Sequence, residues 1–302
     1  IKEFIKKEIP DISDRELEGC IIYNDTDSSY VSITPLVNKG LNFLDGKDVH
    51  QDTHNKIQEI EDYLNEGVDQ WAKKSLLSQD SRFVFKRECI ADVGVFLQKK
   101  RYVMHILDDE GIKENKFKYT GVEVVRTTMP NAIKPYAKKI IETMLSTQSL
   151  SKTNKILNET YDIFKELKPE ELAFVMGVKG YEKYAVACNE FNTVKSMPIH
   201  VKSAYFYNLL LNKLGTGNKY EDLSSGDKVR YMYLEKPNKY GLDSIGFKYN
   251  YPKEFNEIFK VDYEKMFEKI LFQGIERFYD CVGWKIRKPA ENVQVELFDL
   301  FA

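Results

Sequence analysis

Cysteine is scarce in this chain and never clustered. Cys20, Cys89, Cys188 and Cys281 lie far apart and form no Cys-x-x-Cys pair. That spacing argues against a zinc ribbon and a disulfide framework, and fits a reducing cytosol. No stretch approaches the ~20 apolar residues needed to cross a bilayer, and the opening residues, IKEFIKKEIP, are not a signal peptide. No membrane association is therefore expected. Low-complexity runs and internal repeats are also absent. Nor is there an excess of one charge, since the formal net charge is −2. A nucleic-acid-binding protein can be near neutral if its positive charge is gathered on one face, so net charge excludes nothing here. Position 1 is not methionine, which leads us to expect a chain processed, trimmed or cut from something longer.

What is present points to a folded, soluble protein. The 302 residues suffice for one large domain or two ordinary ones, and 42% hydrophobic and 13% aromatic content can build a real core. Ile1, Phe4, Ile5 and Ile9 have helical spacing before Pro10 ends the run. The runs CIIY and SYVSI flank the polar cluster NDTDS, a hairpin signature. Residues from about 45 to 82 read as a surface helix pair. A β-rich block follows from Phe83 to Ile106, then a turn at DDEG and a strand FKYTGVEVV. After Pro130 the pattern turns helical over 131–147, 151–166, 198–214 and 262–282, interrupted by a strand–turn–strand passage, GDKVRYMYLEKPNKYGLDSIGFKY. The expected class is α+β, with sheet-rich structure before a boundary near residue 126 and helix-rich structure after it.

Asp25 and Asp27 stand two residues apart at the tip of the first hairpin. Flanking strands would hold the turn rigid and leave both carboxylates open to solvent. Magnesium keeps several waters and takes one or two protein oxygens, so such a turn suits it. In a two-metal site the ions activate an attacking hydroxyl and stabilise a leaving oxygen. An ordinary polar hairpin is the alternative. An EF-hand loop is excluded: with Asp25 as its first position, Tyr30 falls where glycine is needed and Leu36 where the bidentate glutamate is needed. Further on, Lys99, Lys100, Arg101 and Tyr102 lie between apolar runs. On a strand, Lys100 and Tyr102 would share one face and Lys99 and Arg101 the other; a solvated strand end is the other reading.

The segment IIYNDTDSSYVSI resembles the Tyr-Gly-Asp-Thr-Asp-Ser motif of family B DNA polymerases, with Asn24, which tolerates left-handed turn conformations, in place of glycine. The resemblance implies a fold made of the back of a polymerase palm, an antiparallel sheet with helices, over 1–126. A mostly helical thumb with a small β element would follow over 127–290, and a sliding-clamp-binding tail over 291–302. It makes Asp27 a principal ligand of Mg2+ and Asp25 a nearby one, with Glu88 as a supporting carboxylate. Lys99, Lys100, Arg101 and Tyr102 match the family's Lys-Lys-Arg/Lys-Tyr strand, which holds primer–template DNA beside the site, partly through the minor groove, whose acceptor pattern is nearly sequence-independent. KYTGVEVVRTTMP resembles the palm-to-thumb junction and offers Arg126, Thr127 and Thr128 to the phosphate backbone. A plain bend at Gly121 and a surface charge at Arg126 would explain it as well.

From residue 130 the order of features resembles the thumb of T-even bacteriophage polymerases. Pro198, Ile199, His200, Val201 and Lys202 match a Pro-x-His-Ile-Arg segment, with Lys202 the phosphate candidate and His200 read as a packed histidine. At the end, Gln294, Leu297, Phe298, Leu300 and Phe301 resemble a clamp-binding peptide, a few apolar anchors filling a partner's pocket; docking on its own domain is the alternative. The family's Asp-x-x-Ser-Leu-Tyr-Pro and Lys-x-x-x-Asn-Ser-x-Tyr-Gly motifs are missing, as is room for an exonuclease. The expectation is therefore a chain inactive alone. It would bind primer–template and deoxynucleoside triphosphates together with an upstream polypeptide carrying the fingers, the remaining palm and the exonuclease, in a bacterial cytoplasm and encoded by a phage. A non-catalytic DNA-binding and clamp-tethering factor derived from a polymerase is the alternative. A metal-binding nucleotidyltransferase unrelated to replication would explain the aspartates but not the basic strand or the tail.

Overall fold

The computed structural model of the chain describes residues 1–77, 82–126 and 128–289. Two compact units divide between Thr120 and Gly121, six positions before the boundary expected from sequence texture. The class is α+β, built from helices and small antiparallel sheets. No helix among the described residues is long and apolar enough to cross a membrane.

The first unit begins with helices α1 (Lys2–Glu8) and α2 (Asp14–Gly19). Ser13 caps α2 in a reciprocal capping box with Glu16, which satisfies two backbone donors at the helix start. The hairpin β1 (Ile21–Asp25) and β2 (Ser28–Val31) follows, then a short helix α3 (Thr34–Asn38). Phe4, Ile5, Ile9, Ile12, Cys20, Leu36 and Ile60 close over one another as a buried cluster. After the two-residue strands β3 (Leu44–Asp45) and β4 (Asp48–Val49) comes α4 (Gln51–Ser75). The sequence suggested two helices here. One uninterrupted helix forms instead, because neither proline nor a turn cluster breaks the run and Gly67 meets no constraint on its face.

Strands β5 (Cys89–Gln98), β6 (Arg101–Asp109) and β7 (Ile112–Thr120) form a three-stranded antiparallel sheet in sequence order. The central strand β6 is buried on both faces over most of its length. The expected strand through Val125 stops at Thr120. Gly121 takes φ +60°, and Glu123–Val125 forms a 3-10 turn.

In the second unit, α5 (Lys134–Thr147) and α6 (Leu150–Lys165) pack together as the helical spacing anticipated. Short helices α7 (Pro169–Leu172) and α8 (Tyr181–Ala185) flank β8 (Phe174–Gly177), none of which the sequence reading found. Helix α9 (Ile199–Leu214) ends at Gly215, whose φ of +65° makes a left-handed cap. Strands β9 (Lys228–Tyr233) and β10 (Ser244–Phe247) are the anticipated strand–turn–strand, with β9 central between β10 and β8. Short α10 (Lys253–Asn256) precedes α11 (Tyr263–Phe267) and α12 (Gln273–Cys281), which are joined without a break by a π-helical turn over Glu268–Phe272.

Helix α9 lies against β10 at very close range. A Cβ added at Gly246 would fall 2.7 Å from Val229 Cγ2 and 2.8 Å from the Ser203 carbonyl oxygen. Beside it, Ser203 Oγ donates to Ser244 Oγ at 2.8 Å, both side chains being buried. Gly246→Ala should therefore destabilise the second unit by about 2–3 kcal/mol, read as a lower midpoint in urea unfolding. An unchanged midpoint would show that the helix and strand can part without loss.

Candidate active site

The aspartate turn is a two-residue connection. Asp25 pairs with Ser28 across the hairpin, which leaves Thr26 and Asp27 as the loop. A loop this short matches the strand twist when its first residue has positive φ, and Thr26 takes φ +51°. The left-handed conformation that Asn24 could tolerate is thus taken two residues later. Asn24 itself is extended in β1 opposite Ser29, because positive φ belongs between the closing pair and not before it. Thr26 Oγ1 donates to Asp25 Oδ1 at 3.4 Å, and Ser28 Oγ donates to the Asp25 carbonyl at 3.2 Å. The Asp25 side chain is 26% exposed. Asp27 is exposed and makes no hydrogen bond or ion pair with any described residue.

The basic residues also sit at a tip. Gln98 pairs with Arg101, and Lys99 and Lys100 form the two-residue loop between β5 and β6, with Lys100 at φ +61°. The expected alternation of four residues along one strand does not arise, since the chain reverses at the lysines. Lys99 and Lys100 are exposed, Arg101 is half-buried and Tyr102 is buried.

The two tips meet across Tyr23. The Lys100 backbone N–H donates to Tyr23 Oη at 3.2 Å, and Lys100 Nζ lies 3.5 Å from Asp25 Oδ1. Burial, then a hydrogen bond to Asp25 and the charge of that carboxylate, push the Tyr23 phenol above its ordinary pKa. Beneath the tips, the hydroxyls of Tyr30 and Tyr102 are 2.6 Å apart. Phe96 stacks on Tyr102 at 5.0 Å between centroids and meets Tyr30 edge-on at 5.3 Å. Burial and the Tyr102 hydroxyl raise the Tyr30 phenol strongly. Sequence reasoning missed Tyr23, Tyr30 and Phe96 as site-forming residues. Their signal was an aromatic pair flanking each polar tip, Tyr23 with Tyr30 and Phe96 with Tyr102, which face each other across the two hairpins.

The other candidates are placed differently. Glu88, just before β5, is exposed and accepts from Lys118 Nζ at 2.8 Å, which raises the Lys118 pKa. Among the described residues no three His, Cys, Asp or Glu side chains converge on one point, so Glu88 does not complete a cage with Asp25 and Asp27. In the second unit, Arg126 Nη1 is 3.7 Å from Glu123, whose carboxylate also accepts from Arg277 at 2.9 Å. Lys202 pairs with Asp243 at 3.2 Å and covers the Phe206 ring. His200, half-buried in the first turn of α9, has its pKa lowered by that burial. Thr127, Gln294, Leu297, Phe298, Leu300 and Phe301 lie outside the described residues.

The chain matches no family model. Along its whole length it aligns with the DNA-directed DNA polymerase of Escherichia phage RB69, at 24% identity over 325 aligned positions. The likeness is to the C-terminal part of a T-even family B DNA polymerase. The chain spans 34% of that curated relative's length. The polymerase-like sequence thus includes both hairpin tips and the aromatic pairs beneath them.

If the hydroxyl pair ties the two hairpins together, Tyr30→Phe and Tyr102→Phe should each cost about 1 kcal/mol, because each leaves a partly buried hydroxyl without its partner. The double variant should cost little more than either single one. Urea unfolding of the four proteins checks this, and strict additivity would mean the hydroxyls act separately.

Proposed function

We propose that this chain is the C-terminal portion or subunit of a DNA-directed DNA polymerase, supplying the aspartate turn, part of the primer–template grip and a clamp tether. The observation that carries this reading is the meeting of the Asp25–Asp27 turn with the Lys99–Lys100 tip across Tyr23, at two places where the sequence resembles polymerase motifs. One hairpin offers hard carboxylate oxygens. The other presents ammonium groups suited to a phosphate backbone. The donors fit magnesium, which takes only one or two carboxylates and keeps its waters. Asp27, which has no partner among the described residues, would hold the ion with Asp25 beside it. Bound there, the metal would supply activation of the primer hydroxyl and charge stabilisation of the leaving oxygen.

The chain's own residues provide position. The two-residue loops fix the carboxylates and ammonium groups on rigid strands. Tyr23 ties the tips together, and buried Tyr102 seats the strand that carries Arg101. Lys99, Lys100 and Arg101 would neutralise backbone phosphates, and Arg126, Thr127 and Lys202 are the further phosphate candidates. Lys202 would first have to leave Asp243. Two carboxylates on one turn make only part of a two-metal site, and two thirds of the polymerase relative has no counterpart here. The remaining catalytic wall, nucleotide grip and exonuclease would come from an upstream polypeptide, and the tail over 291–302 would engage a sliding clamp in the bacterial cytoplasm.

Magnesium-dependent primer extension, by the chain alone and mixed with its upstream polypeptide, tests the proposal. Activity is expected only in the mixture, and Asp27→Ala should lower it on the order of 10³-fold with duplex binding nearly intact. Synthesis that survives Asp27→Ala would instead establish a non-catalytic tether. Lys99→Ala should weaken duplex binding uniformly across sequences and lower the salt slope by about one. Truncation before Gln294 should abolish clamp-stimulated processivity and spare distributive synthesis; a truncated protein that remains clamp-responsive would refute the tail assignment.

A further inference from the structure

The Asp25 carboxylate is already in demand. Its Oδ1 accepts from Thr26 and lies 3.5 Å from Lys100 Nζ, while the Tyr23 hydroxyl accepts from the Lys100 backbone beside it. Asp27, on the same turn, carries no such load. The Lys100 side chain is 63% exposed, and its four-carbon stem lets the ammonium swing while the backbone stays bonded to Tyr23. One lysine therefore stands between a carboxylate suited to a cation and the solvent side from which a polyanion would approach.

We infer that Lys100 and a divalent cation compete for Asp25, and that a duplex phosphate, by drawing the ammonium away, tightens cation binding at the turn. This rests on the proposed reading of the turn as metal-binding and the lysine tip as duplex-binding. An ammonium held against Asp25 both occupies an acceptor oxygen and repels an incoming dication. Once the ammonium pairs with phosphate, both penalties fall. Linkage makes the effect mutual, so the cation must favour duplex binding by the same factor that the duplex favours the cation. Lys100 is on this view a positioning residue that couples two ligands, distinct from Lys99, which makes no ion pair with any described residue.

The test uses the whole chain and two readouts other than synthesis. Terbium luminescence excited through tyrosine, competed with Mg2+, reports cation binding without DNA. Lys100→Met should bind Mg2+ about fivefold more tightly than the unsubstituted chain, and Lys100→Arg should not. Anisotropy of a labelled primer–template duplex at constant ionic strength reports the coupling. Replacing K+ with Mg2+ should raise duplex affinity in the unsubstituted chain and in Lys100→Arg, relative to Lys100→Met. Equal Mg2+ affinity in all three chains, or the same Mg2+ effect on duplex binding in all three, overturns the competition. Terbium binding that survives Asp27→Asn overturns the metal-binding reading itself and the inference with it. Binding lost in Asp27→Asn but indifferent to Lys100 overturns the inference alone.

Discussion

The arrangement of this site depends on a partly buried polar contact inside an aromatic cluster. Tyr30 and Tyr102 come from strands far apart in sequence, and their hydroxyls meet at 2.6 Å, with Tyr102 buried and Tyr30 half-buried. A buried hydroxyl without a partner is costly, so the pair favours one relative placement of the two hairpins over others that would bury the same apolar area. Phe96 and Tyr23 complete the packing, and aromatic contacts of this kind contribute beyond their area. Non-directional burial joins the hairpins. The hydroxyl pair selects the alignment in which the Asp25 and Lys100 tips coincide.

The second unit uses the same logic at closer range. Gly246 lets α9 and β10 approach until backbone meets backbone, and the Ser203–Ser244 bond satisfies the polar atoms that this approach buries. Tyr207 and Asn208 then anchor the loop after α9, through bonds to the carbonyls of Glu221 and Leu223. Apolar area supplies the drive in both units, while a few satisfied polar contacts decide the register.

Legibility from sequence followed the length and regularity of each signal. Helices α5, α6 and α9 and the strands β9 and β10 were readable because apolar residues recur at a fixed period. The short β8, α7 and α8 were not, because four or five residues hold too little pattern and depend on tertiary partners. At the site, the aspartate hairpin was legible from its polar tip between β-rich runs. The lysine tip was misread as a strand, since Lys99 and Lys100 are not turn formers by type. Their reversal is imposed by the pairing of Phe96 with Tyr102 and Gln98 with Arg101. Tyr23, Tyr30 and Phe96 looked like ordinary strand residues. Their role exists only once two hairpins are side by side, which local pattern does not encode.

Both tips are two-residue loops, and this bears on how the protein could change over time. In a hairpin of that kind the loop sets the register, so inserting or losing one residue there would turn every following side chain to the opposite face. Tyr30 and Tyr102 would then point away from each other. The long stretch between the hairpins, running through α4, carries no such register and can lengthen or shorten at modest entropic cost. Homologous chains should accordingly differ in size mainly between β2 and β5, with both tips kept at constant length.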